Sequence, residues 1–299
     1  MTPNVTASPS VGAINAPMQV GDLVALIGET LAAAGVPDAT AEARDLVAAV
    51  AEQGRFWPSL HSHAVAAPDI VDLAHSVARR RASGMPFAYA VGRAPFRHLT
   101  LCVDERVLIP RQETEVLVDL VLRHRDTRGG VAADVGTGSG AIALALASEG
   151  NFDRIIATDV AADALMVARE NALALGAKAR MVEFRTGDLL APIYGTTIDV
   201  LVSNPPYIAF DEAAELPASV RDWEPGHALF SGEHGLGVTR RIIDGAPALL
   251  CSGGLLALEV DSRRARQVAE LVASGGAFHE VELHQDLAGR DRFVLAVRN

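Results

Sequence analysis

The second half of the chain alternates short apolar runs with longer segments of helical period, and no other feature restricts its fold as strongly. The apolar runs predict seven strands, at 131–135, 154–159, 180–185, 198–203, 254–260, 278–284 and 292–298. Helices are predicted between them at 139–149, 162–175, 236–250 and 263–274. Strands joined through helices run parallel, with helices covering both sheet faces. Only the last two predicted strands share a short link, so we expect an antiparallel last strand in a Rossmann-like, seven-stranded α/β fold.

The residues before this alternation predict further segments. A helical face formed by Val20, Leu23, Ile27 and Leu31 begins a small all-helical domain. A β-hairpin is expected afterwards, with strands 99–103 and 107–109 joined by a turn at 104–106. The expected boundaries are 1–17 for a disordered tail, 18–84 for the helical domain, 85–110 for a linker with the hairpin, and 111–299 for the α/β domain.

Composition excludes several classes of protein. The chain has 299 residues, of which 49% are hydrophobic and 21% charged, with two cysteines, and this excludes a disordered chain or a disulfide scaffold. The net charge of −11, without a basic block, argues against a nucleic-acid partner. The sequence also lacks an apolar run of the length, about 18 residues, that suggests a membrane span, and its first residues do not resemble a signal peptide. We therefore expect a cytoplasmic protein without a membrane partner.

A glycine-rich segment, Asp134-Val135-Gly136-Thr137-Gly138-Ser139-Gly140, lies between a predicted strand and the next helix. Glycines allow a sharp turn and the close approach of a ligand to the main chain, while the helix N-terminus offers free N–H groups. Ala141 replaces the last glycine of the dinucleotide-binding fingerprint. The segment therefore favours a nucleotide-like ligand, and a tight structural turn is the alternative.

Two carboxylates follow the next strands. Asp159 ends its strand, where a carboxylate can accept both hydroxyls of a ribose or, alternatively, support the dipole of the following helix. Asp188 and Leu189 follow the third strand, where an acid can meet an adenine amino group and an apolar side chain can cover the ring. Since aspartate is also common in turns, this second site stays open.

The segment Asn204-Pro205-Pro206-Tyr207 follows a predicted central strand, at the strand end where open α/β sheets bind ligands. Two prolines remove two N–H donors and hold the chain rigid directly after Asn204. The side-chain oxygen of Asn204 and the carbonyl of Pro205 can then accept hydrogen bonds from one external NH₂ group. Tyr207 offers a flat surface for stacking. The motif indicates a site for a planar amide or an exocyclic base amine.

The glycine-rich segment, Asp159 and the Asn-Pro-Pro-Tyr motif together resemble S-adenosylmethionine-dependent methyltransferases that methylate amino groups. Residues 85–118 resemble the segment that precedes this fold in the HemK/PrmC family, the glutamine N5-methyltransferases of peptide release factors. Residues 224–236 and 286–292 resemble the same family. The resemblance covers residues from about 85 to 299, whereas the helical segment matches only in architecture. Gln112 stands where the family usually has proline, and Asp261 where it usually has glycine.

The resemblance implies a methyltransferase sheet, S-adenosylmethionine as cofactor and S-adenosylhomocysteine as product. The glycine-rich loop would wrap the methionine part with Asp134 near its amino group, Asp159 would take the ribose, and Asp188 and Leu189 would flank adenine. The implied cofactor-binding residues are Asp134, Gly136, Thr137, Gly138, Ser139, Gly140, Asp159, Asp188, Leu189 and Asn204. The implied catalytic residues are Asn204, Pro205, Pro206 and Tyr207, and no metal ligand is expected.

The resemblance further implies that the protein methylates the glutamine of the Gly-Gly-Gln loop in peptide chain release factors, and we expect it to act as a monomer. One alternative is glutamine methylation in another protein, such as a ribosomal protein. A second is N6-adenine methylation, because the Asn-Pro-Pro-Tyr motif also serves exocyclic amines. The acidic net charge argues against that second alternative.

Overall fold

The computed structural model describes residues 17–124 and 129–299. Almost all of the predicted tail, residues 1–16, lies outside the described part. The chain divides between Gly84 and Met85 into two compact units. None of the helices in the described ranges is both long and apolar enough to cross a membrane.

The first unit is helical, as its apolar periodicity predicts. Its helices are α1 Val20–Ala33, α2 Ala39–Val50, α3 Trp57–Leu60 and α4 Pro68–Ala82. Leu23, Ile27 and Leu31 form the fully buried face of α1. An ion pair between Arg81 and Glu42, at 2.5 Å, joins α4 to α2. The short helix α3 was not predicted.

The second unit contains the remaining helices and all strands of the described chain. Its helices are α5 Phe87–Val91, α6 Gln112–His124, α7 Ala141–Glu149, α8 Ala162–Leu175, α9 Ala218–Arg221, α10 Gly226–Leu229, α11 Gly232–Gly235, α12 Gly237–Gly245 and α13 Ala265–Ser274. Its strands are β1 Arg93–Phe96, β2 Leu99–Cys102, β3 Val131–Val135, β4 Arg154–Asp159, β5 Val182–Thr186, β6 Ile198–Ser203, β7 Leu250–Glu259, β8 Phe278–Gln285 and β9 Asp291–Arg298. Short 3-10 helices include Phe210–Glu215 and Ala246–Ala248.

The predicted sheet is confirmed. Within the described residues, seven strands form one sheet in the order β5-β4-β3-β6-β7-β9-β8. The pairs from β5 to β7 are parallel, and β9 lies antiparallel between β7 and β8. The strand order reverses at β3 and β6, so the loops that follow these two neighbouring strands meet at the switch point where such sheets bind ligands.

Helices cover both faces of this sheet and give it two apolar cores. Leu117 of α6 and Leu144 of α7 pack with Ala132 of β3 on one face. Ile242 of α12 and Val268 of α13 belong to the core of the other face. This alternation of core sides along the strands is the doubly covered arrangement that the sequence predicted.

The predicted hairpin is wrong in one strand. β2 pairs antiparallel with the upstream β1, with Arg93 opposite Cys102, and residues 107–109 form no strand. The side chain of Asp104 accepts a hydrogen bond from the backbone N–H of Arg106 at 3.0 Å, and the N–H of Val107 donates to the Asp104 carbonyl at 3.1 Å. Within this local turn, the N–H groups of Arg106 and Val107 are already hydrogen-bonded to Asp104, which competes with strand pairing at 107–109.

The helix predicted at 236–250 is also too long, since α12 ends at Gly245. Pro247 cannot donate a backbone hydrogen bond and disfavours helix at the residue before it. The chain therefore continues as a 3-10 turn, and β7 begins at Leu250, earlier than the predicted residue 254.

Candidate active site

The loop after β3 turns on its glycines. Gly136 and Gly138 have φ values of +75° and +54°, in the left-handed region that favours glycine. A Cβ atom built at either position would meet nothing within 4 Å, so open space lies beside this backbone. The N–H groups of Gly136 and Thr137 donate to the Thr158 carbonyl at 2.9 and 2.8 Å, which fixes the loop to the end of β4.

Asp134, near the end of β3, lies below this loop and is fully buried. Its Oδ2 accepts hydrogen bonds from the Thr137 hydroxyl at 2.6 Å and the Ala143 N–H at 3.1 Å. Its Oδ1 is buried without a hydrogen-bond partner among the described residues. Burial, only partly offset by these hydrogen bonds, raises the pKa of Asp134 to about 7. The Oδ1 atom of Asp134 can therefore accept a hydrogen bond from a ligand.

Asp159 ends β4 and is 9% exposed. Its Oδ2 accepts the N–H of Gly138 at 2.9 Å, and its Oδ1 accepts the N–H of Ala161 at 2.9 Å. The carboxylate therefore supports both the glycine loop and the chain entering α8. Each carboxylate oxygen can accept a further hydrogen bond, so this structural role and ribose binding are compatible.

Asp188 follows β5 and is exposed. Its Oδ2 pairs with the guanidinium of Arg241 from α12 at 2.5 Å. Leu189 has a φ of +47°, and its carbonyl accepts the hydroxyl of Thr158 at 3.2 Å. The sequence did not indicate the partner Arg241.

Asn204 follows β6, whose last residue, Ser203, donates from its hydroxyl to the Val135 carbonyl at 2.6 Å. The amide nitrogen of Asn204 donates to the hydroxyl of Thr114, on α6, at 3.0 Å. That hydroxyl in turn donates to a carboxylate oxygen of Glu259, at the end of β7, at 2.7 Å. The orientation of the Asn204 side chain is thus set by residues far away in sequence.

Tyr207 is held by Arg292 of β9. The guanidinium donates to the phenol oxygen at 2.8 Å and lies 5.0 Å from the ring centroid. Arg292 also lies 3.7 Å from Glu259, which is fully buried. Burial raises the pKa of both the Tyr207 phenol and the Glu259 carboxyl. The phenol is therefore a poor source of a general base at neutral pH.

Two cavities meet at Asn204. The first encloses about 780 Å³, including open solvent at its mouth, and the second about 530 Å³. Residues that line the first include Gly136, Gly138, Asp159, Asp188, Leu189, Asn204, Pro206 and Arg241. Residues that line the second include Arg111, Asn204, Pro205, Tyr207, Ile208, Leu216, Val220 and Leu229. Leu108, Asn204 and Ala228 line both, so a ligand in one cavity lies next to a ligand in the other.

The predicted residues thus fall into two groups. Most line one of the two cavities, whereas the buried Asp134 and the loop residues Thr137, Ser139 and Gly140 line neither. Gln112 lies at neither cavity but at a separate cleft near Arg290.

Sequence reasoning missed Thr114, Glu259 and Arg292. Two of them lie in segments that carried the family resemblance, but no local pattern connects these residues to Asn204 or Tyr207. The ion pair between Arg111, which lines the second cavity, and the buried Glu224, at 2.6 Å, was also missed.

Comparison with known proteins identifies the family. Residues 22–92 match the PrmC N-terminal domain, and residues 112–217 match the methyltransferase small domain. The release factor glutamine methyltransferase of Moorella thermoacetica is 44% identical over 251 residues, covering 84% of this chain and 82% of that protein. The namesake from Deinococcus radiodurans is 37% identical, covering 94% of this chain and 99% of that protein.

The chain belongs to the release factor glutamine methyltransferase family. A solved structure titled as a methyltransferase from Pyrococcus furiosus shares the fold, with a TM-score of 0.51 at 19% identity over 68% of this chain and 89% of that chain. Membership in the release factor glutamine methyltransferase family confirms the resemblance inferred from the sequence motifs. It also makes the chain a methyltransferase.

Proposed function

We propose that this protein transfers a methyl group from S-adenosylmethionine to the side-chain amide nitrogen of the glutamine in the Gly-Gly-Gln loop of peptide release factors. The observation that carries the proposal is the junction of the two cavities at Asn204. One cavity suits the cofactor and the other the acceptor, and methyl transfer requires the two ligands to touch.

The residues of the first cavity fit the cofactor, together with the buried Asp134, which does not line the cavity itself. The unpartnered Oδ1 of Asp134 supplies an acceptor for an ammonium group, and the open backbone at Gly136 and Gly138 leaves room for a ligand. Asp159 has acceptor capacity for ribose hydroxyls. Asp188 keeps one oxygen outside its pair with Arg241 for an adenine amine. When bound, S-adenosylmethionine supplies a methyl group on a positively charged sulfur.

The second cavity fits a glutamine side chain. Its wall is largely apolar, apart from Arg111, Asn204 and Tyr207. The Asn204 side-chain oxygen and the Pro205 carbonyl would accept the two amide N–H bonds of the acceptor. Tyr207 would pack against the planar amide, since Arg292 holds its phenol.

The chemistry follows from these contacts. An amide nitrogen is a poor nucleophile because its lone pair is delocalised, so orientation and hydrogen bonding must supply the rate. Well-oriented model reactions gain about 7–11 kcal/mol from positioning. The two acceptors stabilise positive charge that builds on nitrogen. The Asn204 and Pro205 oxygens would hold the amide nitrogen while it takes the methyl group that the cofactor supplies; the electron pair of the carbon–sulfur bond would remain with the sulfur, and one N–H proton would leave to water.

The helical unit, the counterpart of the PrmC N-terminal domain, is proposed to recognise the release factor. The protein would then work as a monomer in the cytoplasm, where translation termination takes place. We retain the segment boundaries 1–17, 18–84, 85–110 and 111–299 as part of this proposal.

Peptide mass spectrometry of the host's release factors, after incubation with the protein and S-adenosylmethionine, tests the function. One added methyl on the Gly-Gly-Gln glutamine is expected, and none on a factor whose glutamine is replaced by alanine. If the cofactor binds but no release factor gains a methyl, the substrate assignment is wrong. Ribosomal proteins and nucleic acid are then the next substrates to test.

A further inference from the structure

A buried polar network lies beneath the Asn-Pro-Pro-Tyr segment. Glu259 contacts Thr114 at 2.7 Å and lies 3.7 Å from Arg292. Thr114 in turn contacts Asn204, and Arg292 contacts Tyr207. The buried carboxyl group of Glu259 is thus connected to Asn204 through Thr114 and to Tyr207 through Arg292.

The hydrogen-bond directions in this network follow from chemistry. A threonine hydroxyl has one proton, and an ionised Glu259 can only accept it. The Thr114 oxygen is then left to accept from Asn204, so the NH₂ half of the Asn204 amide must face Thr114. The carbonyl half, Oδ1, takes no hydrogen bond among the described residues and faces away from Thr114.

We propose that Thr114 and Glu259 are positioning residues that hold Asn204 Oδ1 toward the acceptor and so select a primary amide, which donates hydrogen bonds, over a carboxylate, which cannot. The inference rests on the proposed function and names the group that the site distinguishes. Without the Thr114 hydroxyl, the side-chain amide of Asn204 can rotate so that its NH₂ group, instead of Oδ1, faces the acceptor. The NH₂ group can then donate a hydrogen bond to a carboxylate. The selection therefore depends on a residue outside hydrogen-bonding contact with the acceptor.

The protonation state of Glu259 affects the same selection between an amide and a carboxylate. Burial and Glu113 raise the pKa of Glu259, while Arg292, Thr114 and Arg111 lower it. A protonated Glu259 can donate to Thr114, and Thr114 can then donate to Asn204 Oδ1. Acidification should therefore weaken the preference for an amide over a carboxylate.

The test compares the wild type with Thr114→Val, which removes the hydroxyl at nearly constant shape, and Thr114→Ser, which retains it. The substrate is the full-length release factor, and the competing ligand is the same factor with glutamate in place of the glutamine. Thr239→Val is the matched control, because Thr239 is equally buried on α12, away from this network.

We expect Thr114→Val to lower kcat about three- to tenfold, the effect of one hydrogen bond, and to leave the cofactor Kd unchanged. The inhibition constant of the glutamate form should fall toward the KM of the glutamine form. Thr114→Ser should restore both values, and Thr239→Val should change neither. Glu259→Gln, whose side-chain amide can donate to Thr114, should likewise reduce the preference for the glutamine form over the glutamate form. It should also abolish the change of this preference at acid pH.

Two failures are distinguishable. If the wild type methylates no release factor, the proposed function is wrong and this inference falls with it. If the wild type methylates the factor and Thr114→Val keeps the full preference for glutamine over glutamate, only the inference is overturned. A loss of both affinities in equal proportion would indicate a merely structural role for Thr114 and also overturn it.

Discussion

The loops after β3 and β6 lie at the same switch point of the sheet but are fixed in different ways. The loop after β3 is held by partners close to it in sequence, the Thr158 carbonyl, the Asp159 carboxylate and the Asn171 side chain of α8. The loop after β6 is held by side chains, through Thr114 and Arg292 from α6 and β9. The glycine loop on the cofactor side is thus fixed by neighbouring segments of sequence, whereas the segment on the acceptor side is fixed by residues far away in sequence.

The largest effect that this comparison predicts is at Asn204, the residue shared by both cavities. Asn204→Ala removes the acceptor for the substrate N–H and should lower kcat by about 100- to 1,000-fold, the range seen when one transition-state hydrogen bond is lost. The cofactor Kd should change little, because the adenosine contacts lie elsewhere in the first cavity. Methyl transfer and calorimetric cofactor binding, measured on the same preparation, check both statements. Turnover within a few-fold of wild type would remove Asn204 from the catalytic role.

A substitution at Asp159 should have the reverse pattern, with weaker cofactor binding and a nearly unchanged kcat. Asp159→Ala should weaken cofactor binding by about 1–3 kcal/mol, the scale of hydrogen bonds to a charged group. The loop N–H of Gly138 also loses its partner, so the effect should lie toward the upper end. With saturating cofactor, kcat should stay near the wild-type value. An unchanged cofactor Kd in isothermal titration would contradict the ribose assignment.

Asp134 predicts a pH dependence of cofactor affinity, whereas the pH dependence expected on the acceptor side concerns the preference for an amide over a carboxylate. Its pKa of about 7 in the free protein means that the carboxyl is mostly neutral below neutral pH. Because this pKa is raised above the unfolded value, its contribution to stability is fully present below about pH 4 and is lost as pH rises through about 7.

A bound ammonium group would favour the ionised form of Asp134. Cofactor affinity should therefore fall by up to about tenfold per pH unit below 7. Titrations across pH 5.5–8, about 1.5 units below and 1 above that pKa, with Asp134→Asn as control, measure it. A flat profile in the wild type would separate Asp134 from the cofactor amine.

The same contrast explains how much of the site was predictable. The loop after β3 could be predicted as a ligand-binding loop from sequence alone. Its glycines, the strand-end carboxylate and the following helix all lie within a few neighbouring segments of sequence. Asn204 and Tyr207 were readable from their own motif. Thr114, Glu259 and Arg292 were not, since their partners are fixed only by sheet order and helix packing. The hairpin failed for a related reason, because Asp104 competes locally with strand pairing.

The smallest predicted effect concerns Arg241, where the cofactor side does depend on a distant side chain. Its pair with Asp188 is short, at 2.5 Å, but both side chains are more than half exposed. Exposed ion pairs contribute about 0–1 kcal/mol and are screened by salt. Arg241→Ala should therefore weaken cofactor binding no more than about fivefold, with the difference vanishing at high ionic strength. A larger, salt-independent loss would mean that Arg241 contacts the ligand itself, and the cofactor side would then depend on tertiary packing as the acceptor side does.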